Sequence, residues 1–347
     1  MHLIENPHRG GEKLAPDAPY PSSDAARVAG LLGQCPIAAH TPLAEASGLA
    51  PVGALWIKDE RPRMGLGSFK ALGAAYVIAR QAAERQTTPG SDTLAGHTYV
   101  TASAGNHGMS VAAGARVFGA KAVVYIAETV PESFADRLRD LGAQVVRAGT
   151  NYAASMEAAL TAAETNGWTL LSDSSWDGYI DLPHTLMEGY LQMAAEAVAQ
   201  CPVPPTHVFL QAGVGGLAGA VAAYIRKAWD DAPRIIVVEP EAAPALQASI
   251  TAGHCVFADG PDSVMGRLDC KEPSLIALNG LARDADDFLT LSDGEVTSRL
   301  PALAAAGFET TASGGAGIAA ALDPDVRAAL KIGNDARVLC FLSEVAD

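Results

Sequence analysis

The chain has 347 residues, of which 49% are hydrophobic and 18% charged, and it carries a net charge of −15. That length allows two domains or one large one, with enough apolar material for a sizeable core. The acidic balance argues against nucleic acid or an anionic membrane as partner, and no apolar run is long enough to span a bilayer. The first residues, M-H-L-I-E-N-P, lack a basic stretch followed by an apolar one, so no secretory signal is read and a cytoplasmic enzyme is expected. The five cysteines (Cys35, Cys201, Cys255, Cys270, Cys340) are scattered and form no C-x-x-C. Neither a disulfide framework nor a bound metal is expected from them.

In chain order, residues 24–32 predict a helix and 55–59 a short strand. Next comes the glycine-rich run M-G-L-G-S-F-K, 64–70, read as a mobile loop, and then small and apolar residues at helical spacing. Residues 98–102 predict a strand, 108–118 a helix, 122–126 a buried parallel strand, and 131–141 a helix ended by Gly142. A strand at 144–147, an Ala-rich helix at 152–165 and a strand at 169–172 that delivers Asp173 follow. One long helix is predicted over 186–200, then strand 207–211, helix 217–230 and strand 234–238. A helix at 313–322 and a strand at 338–342 end the chain. Residues 251–300 mix turn residues with short apolar runs and give no detailed prediction. Strands and helices alternate at intervals of about 25–30 residues, which predicts parallel sheets covered by helices on both faces. The alternation occurs twice, so the expected fold is two open α/β domains with a cleft between them.

Three stretches carry chemistry. Lys70 falls near the start of a helix, where the helix dipole disfavours a cation and a neutral amine is easier to hold. An amine that attacks a carbonyl must be neutral some of the time. Residues 211–217, Q-A-G-V-G-G-L, lie between a strand and a helix. Their glycines let backbone N–H groups approach an anion. The run lacks the Lys-Ser/Thr ending of a nucleotide loop, and taken alone it is as well a tight-packing device. Residues 103–108, S-A-G-N-H-G, form a second strand-to-helix turn in which Asn106 offers a neutral donor and acceptor. His107 is either a packing residue at the helix start or a substrate contact. An amine for an aldehyde, a cup for a phosphate and an amide beside a flat ring together describe pyridoxal 5′-phosphate.

These motifs resemble the fold-type II pyridoxal phosphate enzymes, the tryptophan-synthase-β and threonine-dehydratase group. S-F-K, S-x-G-N-H and the glycine-rich phosphate motif occur in that group's order, and the likeness runs from about residue 37 to the end. Within the group, residues 210–215, 172–179, 238–240 and 270–273 are similar to diaminopropionate ammonia-lyase. The resemblance implies that Lys70 is the Schiff-base lysine and that Phe69 lies against the ring. It implies that Asn106 binds the ring's phenolic oxygen and that Gly213, Val214, Gly215, Gly216 and Leu217 hold the phosphate. Ser343 matches the residue that meets the pyridine nitrogen, with Ser313 as the second candidate. Ser103, Ala104, Gly105 and His107 would line the substrate side, and Asp173 matches an acidic residue that faces the substrate, its alternative being a capping Asp. The implied reaction removes a β-substituent from a small L-amino acid, 2,3-diaminopropionate being the leading candidate, in a homodimer. A serine, threonine or 3-hydroxyaspartate dehydratase is the alternative within the class, and a catalytically silent amino-acid-binding protein the alternative outside it. Residues 1–80 and 185–347 would form the large cofactor-binding domain and 81–184 the small substrate-side domain.

The chain departs from the lyase pattern at two places. Ala104 stands where the lyases carry an Asp that serves as a base on the face opposite the lysine. A methyl group moves no proton, so one-faced chemistry and a preference for L-substrates are expected. Residues 310–312, T-T-A, replace a glutamate near the Ser313-Gly314 segment.

Overall fold

The computed structural model describes residues 1–86 and 90–346. The strands in these residues are β1 (His2–Glu5), β2 (Leu43–Glu45), β3 (Ala54–Asp59), β4 (Thr98–Ala102), β5 (Lys121–Ile126), β6 (Gln144–Arg147), β7 (Thr169–Leu170), β8 (His207–Gln211), β9 (Arg234–Pro240), β10 (Asp287–Leu291) and β11 (Arg337–Leu342). They form a seven-stranded sheet, β1-β10-β9-β8-β11-β3-β2, and a four-stranded sheet, β6-β5-β4-β7. The smaller sheet is wholly parallel, and only the edge strands β1 and β2 of the larger one run antiparallel. The central strands read as near-continuous apolar text, H-V-F-L-Q in β8 and V-L-C-F-L in β11, because helices cover both of their faces.

From β8 the chain passes to β9 and then β10 on one side, while β11 and β3 lie on the other. The order therefore reverses between β8 and β11, and a crevice opens beyond the carboxyl ends of the strands at such a point. The segments after β3, β8 and β11 in the large sheet and after β4 and β7 in the small one carry the chemical motifs.

Several elements differ from the sequence expectation. Residues 186–200 are two helices, Asp181–Gly189 and Leu191–Gln200, joined at Tyr190. Gly189 lies against the Leu72 backbone, where a Cβ would come within 2.5 Å of the carbonyl oxygen, and the Tyr190 ring packs on Phe69 with centroids 4.9 Å apart. The helix after 103–105 begins at Asn106, two residues early, so Asn106 itself lies in its first turn. β7 ends at Leu170 rather than 172, although the Leu171 N–H still bonds to Val100 O. Residues 251–300 hold the end of helix Ala245–Ala252, the helices Leu275–Asp284 and Asp293–Thr297, and β10. β1 pairs with β10 at the sheet edge, a long-range contact with no local signal.

The approach to Lys70 is pinned, which corrects its reading as a mobile loop. The Val345 N–H bonds to Gly67 O at 2.9 Å and the Phe69 N–H to Ser343 O at 3.1 Å. Gly67 has φ +77°, and a Cβ there would meet Val345 Cγ2 at 2.9 Å. Beneath it is a buried group of charges. Arg63 donates through Nε to Glu60 Oε2 at 2.7 Å and through Nη2 to Glu196 Oε2 at 2.7 Å. Lys58 Nζ also reaches Glu196 Oε2 at 2.7 Å, and Thr41 Oγ1 donates to Glu60 at 2.5 Å. Two cations and two anions balance there, each with further hydrogen bonds, which is the condition for burying charge.

Burial acts to raise the Glu196 pKa, but Arg63 and Lys58 outweigh it and bring it to about 2. A carboxylate held lower in the folded state than in the unfolded chain stabilises the fold above the unfolded value. That contribution is lost as pH falls through the folded one. Stability should therefore decline from about pH 4.5 towards pH 2 through this residue. Glu196→Leu leaves buried Lys58 without a counter-ion and Arg63 with Glu60 alone, and should cost about 3–5 kcal/mol. Denaturant melts across that pH range check both statements: a small loss with an unchanged acid limb contradicts them.

Candidate active site

Lys70 is the first residue of the helix Lys70–Arg85. Its Nζ lies 2.5 Å from Asp173 Oδ2 and 5.3 Å from the centroid of the Phe69 ring. Asp173 comes from the loop beyond β7, so this ion pair joins the two sheets. Burial opposes the charge on Lys70, yet Asp173 and the Tyr190 phenol hold its pKa above the ordinary value. This reverses the expectation of a readily neutral amine, because a carboxylate at contact distance exceeds a half-charge at a helix end. Burial likewise acts to raise the Asp173 pKa, but Lys70, then His107, hold it well below the usual carboxylate range. Asp173 is therefore an ionised counter-ion rather than a helix cap.

His107 is buried, and burial lowers its pKa. Its Nε2 donates to Leu171 O at 2.8 Å, leaving Nδ1 as a buried acceptor without a partner. The bond ties the start of the helix Asn106–Val117 to the segment that carries Asp173. Ser103, Ala104 and Gly105 form the turn before that helix. A Cβ on Gly108 would fall 2.1 Å from Ser103 O, so the turn requires glycine there. Asn106 Nδ2 donates to Glu344 Oε2 at 2.5 Å.

Beyond β8, Gly215 has φ +95° and precedes the helix Gly216–Trp229. A Cβ on Gly213 would meet Cys270 Sγ and Leu268 Cα at 3.0 Å, and one on Gly215 would meet Ala277 Cβ at 2.9 Å. The first N–H groups of this helix have no intrahelical acceptor. Such N–H groups suit a phosphate, and the close packing behind Gly213 and Gly215 holds the turn that presents them. Phe69 is buried against Tyr190. Ser343 is also buried and runs directly into Glu344, while Ser313 Oγ accepts from the Arg267 N–H at 3.1 Å.

The motifs do not single out four residues that the fold brings here. Glu344 and Arg267 form an ion pair at 2.8 Å. Burial, together with Asp173, pushes the Cys270 thiol up to about 12. Tyr152 begins the helix after β6 and is 58% exposed, and the charges of Asp173 and Lys70 bear on its phenol. An exposed aromatic after a parallel strand is the one sequence signal that could have marked it.

A half-buried amine, glycines at a helix N-terminus and a donor amide from the facing sheet fit pyridoxal phosphate. Residues 35–344 match the family described as "Pyridoxal-phosphate dependent enzyme". The chain belongs to this family. Diaminopropionate ammonia-lyase of Salmonella typhimurium is 35% identical over 273 residues, 72% of this chain and 67% of that protein. The Escherichia coli K12 enzyme of the same name is 34% identical over 251 residues, 68% of this chain and 63% of that one. The alignments thus span about two thirds of each relative's length. A crystal structure of diaminopropionate ammonia-lyase from Escherichia coli, in complex with an aminoacrylate-PLP azomethine reaction intermediate, superposes with a TM-score of 0.86 at 29% identity. That superposition covers 99% of this chain and 93% of that one. The fold class and the cofactor expected from the sequence are both borne out. No described helix is long and apolar enough to cross a membrane.

In the cofactor-free protein, Asp173→Asn removes the charge that raises the Lys70 pKa and leaves the burial that lowers it. The neutral amine then becomes available at lower pH. Labelling of Lys70 by an amine-reactive reagent should shift its pH profile downward, and an unmoved profile would mean that Asp173 is not the counter-ion.

Proposed function

We propose that the chain is a pyridoxal phosphate-dependent ammonia-lyase that converts 2,3-diaminopropionate to pyruvate and ammonia. The observation that carries this is the ionised Asp173 carboxylate at 2.5 Å from Lys70 Nζ. It supplies a negative charge at the reacting amine, where a substrate's β-ammonium can take the place of the lysine cation. The relatives named above bear the same activity in their names. A hydroxyl-bearing substrate offers Asp173 no charge to pair with, which places the serine, threonine and 3-hydroxyaspartate dehydratase readings second. A silent amino-acid binder has no use for an amine in this setting.

The cofactor would be held through Lys70 at rest and, once joined to the substrate's amino group in place of the lysine, would supply the electron sink that makes the Cα proton removable. Lys70, released from that linkage, takes the Cα proton. Asp173 pairs with the leaving β-ammonium, and its depressed pKa favours this role over proton donation. The amides of 213–217 bind the phosphate, Asn106 donates to the ring's phenolic oxygen, and Ser343 or Ser313 meets the ring nitrogen. Residues 103–107 line the other face, where Ala104 provides no base.

Residues 1–80 and 185–347 are assigned to the cofactor domain and 81–184 to the substrate domain, because the strands of the two sheets divide along those limits. Rigid-body movements cutting across these boundaries would contradict the division. A homodimer is proposed from the family resemblance and the 49% hydrophobic content, and a cytoplasmic location remains the expectation stated from the sequence. A monomer by sedimentation at micromolar concentration would contradict the first, and recovery outside the cytosolic fraction the second.

Ammonia release from each enantiomer of 2,3-diaminopropionate and of serine tests the function. L-Diaminopropionate should be the best of the four, with both D-forms slower by orders of magnitude. Asp173→Asn should lower kcat/KM strongly for the diamino acid and much less for serine. Equal activity on both hands of one substrate would refute the argument from Ala104, and equal losses on both substrates the argument from Asp173.

A further inference from the structure

Glu344 follows Ser343 at the end of β11 and is 3% exposed. Asn106 Nδ2 donates to its Oε2 at 2.5 Å, while Arg267 Nη1 at 2.8 Å and Thr311 Oγ1 both donate to its Oε1. Its backbone is also fixed: Thr310 Oγ1 donates to its carbonyl at 2.6 Å, and it forms an isolated bridge with Ser68. Thr311 Oγ1 in turn accepts from the Gly314 N–H at 2.9 Å as the cap of helix Ala312–Leu322. The carboxylate cannot turn to suit Asn106, so Asn106 must suit the carboxylate.

An ionised carboxylate only accepts hydrogen bonds, and the paired Arg267 favours that ionised form. Facing it, an Asn side chain must present its NH2 group and not its carbonyl. One N–H is then used on Glu344, and the second is left to a ligand. A cofactor's phenolic oxygen, when ionised, is likewise an acceptor and needs that N–H. With the amide turned over, two lone pairs would face each other.

We propose that Glu344 is a positioning residue of the cofactor site, fixing the Asn106 amide so that it donates to the phenolic oxygen of pyridoxal phosphate. This rests on the role given to Asn106 above. Asn106 comes from the loop after β4 and Glu344 from the end of β11, so the contact also sets one sheet against the other at the cofactor.

Glu344→Gln is a sharp test because of how the two oxygens are shared. Arg267 can only donate and so needs an acceptor at the Oε1 place, and the Gln oxygen stays there, where the Thr311 hydroxyl can also donate to it. Its NH2 then takes the Oε2 place and faces Asn106, whose amide must turn its oxygen towards it. Protein freed of cofactor would be titrated with pyridoxal phosphate, followed by equilibrium dialysis and by the absorbance spectrum. The Kd should rise about tenfold, and the visible band should lose intensity to the near-ultraviolet band as the phenolic oxygen keeps its proton. Asn106→Ala should also weaken binding, and adding Glu344→Gln to it should change the Kd by less than about twofold, because the second residue acts through the first. If circular dichroism reports that Glu344→Gln is unfolded, Glu344→Asp keeps the charge and withdraws it from Asn106. It should give the same loss and the same non-additivity. A wild-type Kd and spectrum in the folded variant would overturn the proposal. So would a Glu344→Gln factor that is undiminished in the Asn106→Ala background, since that is the mark of a merely structural residue. Wild-type protein that binds no pyridoxal phosphate would instead overturn the functional reading beneath it.

Discussion

The Lys70–Asp173 ion pair is the contact on which the site depends. One partner follows β3 in the large sheet and the other follows β7 in the small one, so the pair holds the two layers at a fixed spacing over the crevice. It also sets the protonation of both groups. In so confined a place neither could stay charged alone, and together each keeps the other ionised. A resting lysine of this kind is a poor nucleophile. The cofactor and the substrate must therefore displace the pairing. On the proposed reading a cationic β-substituent would do so at little cost, because it would leave Asp173 with an equivalent partner.

Holding that pair in place requires a rigid approach to Lys70, and the sequence achieves this with buried charge. Lys58, Glu60 and Arg63 lie within six residues of one another, at the end of β3 and in the turn beyond it, and Glu196 and Thr41 complete the group. An apolar cluster of that volume could be as stable or more so. The charged version has directional bonds that fix the turn through Met64, which has φ +50°, and hence the direction from which the chain enters the Lys70 helix. The second sheet is positioned in the same manner, by His107 to Leu171 O and by Asn106 to Glu344. The approach to Lys70 and the turn at 103–107 are thus each tied to a neighbour by polar bonds.

Much of this was legible in the text of the chain. The β-branched runs of β5 and β9 and the apolar text of β8 marked a parallel core, and the glycines at 213, 215 and 216 fall at the strand-to-helix turn where the sequence put them, with little room for a Cβ at the first two. What was not legible depended on distance along the chain. Glu344 is 238 residues from Asn106, and nothing near either residue signals the bond. The charge state of Lys70 was misjudged from its helix end, since its counter-ion arrives from 103 residues away. The break at Tyr190 lies beside the close packing of Gly189 on Leu72, a long-range contact that helical periodicity does not report.

The central claim is that Lys70 is the amine through which this chain holds its cofactor. Protein loaded with pyridoxal phosphate, reduced with borohydride and digested, should yield a single modified peptide whose fragment masses place the reduced adduct on Lys70. An adduct on Lys58, Lys271 or any other lysine, or an unmodified Lys70 in a protein that retains ammonia-lyase activity, would contradict it.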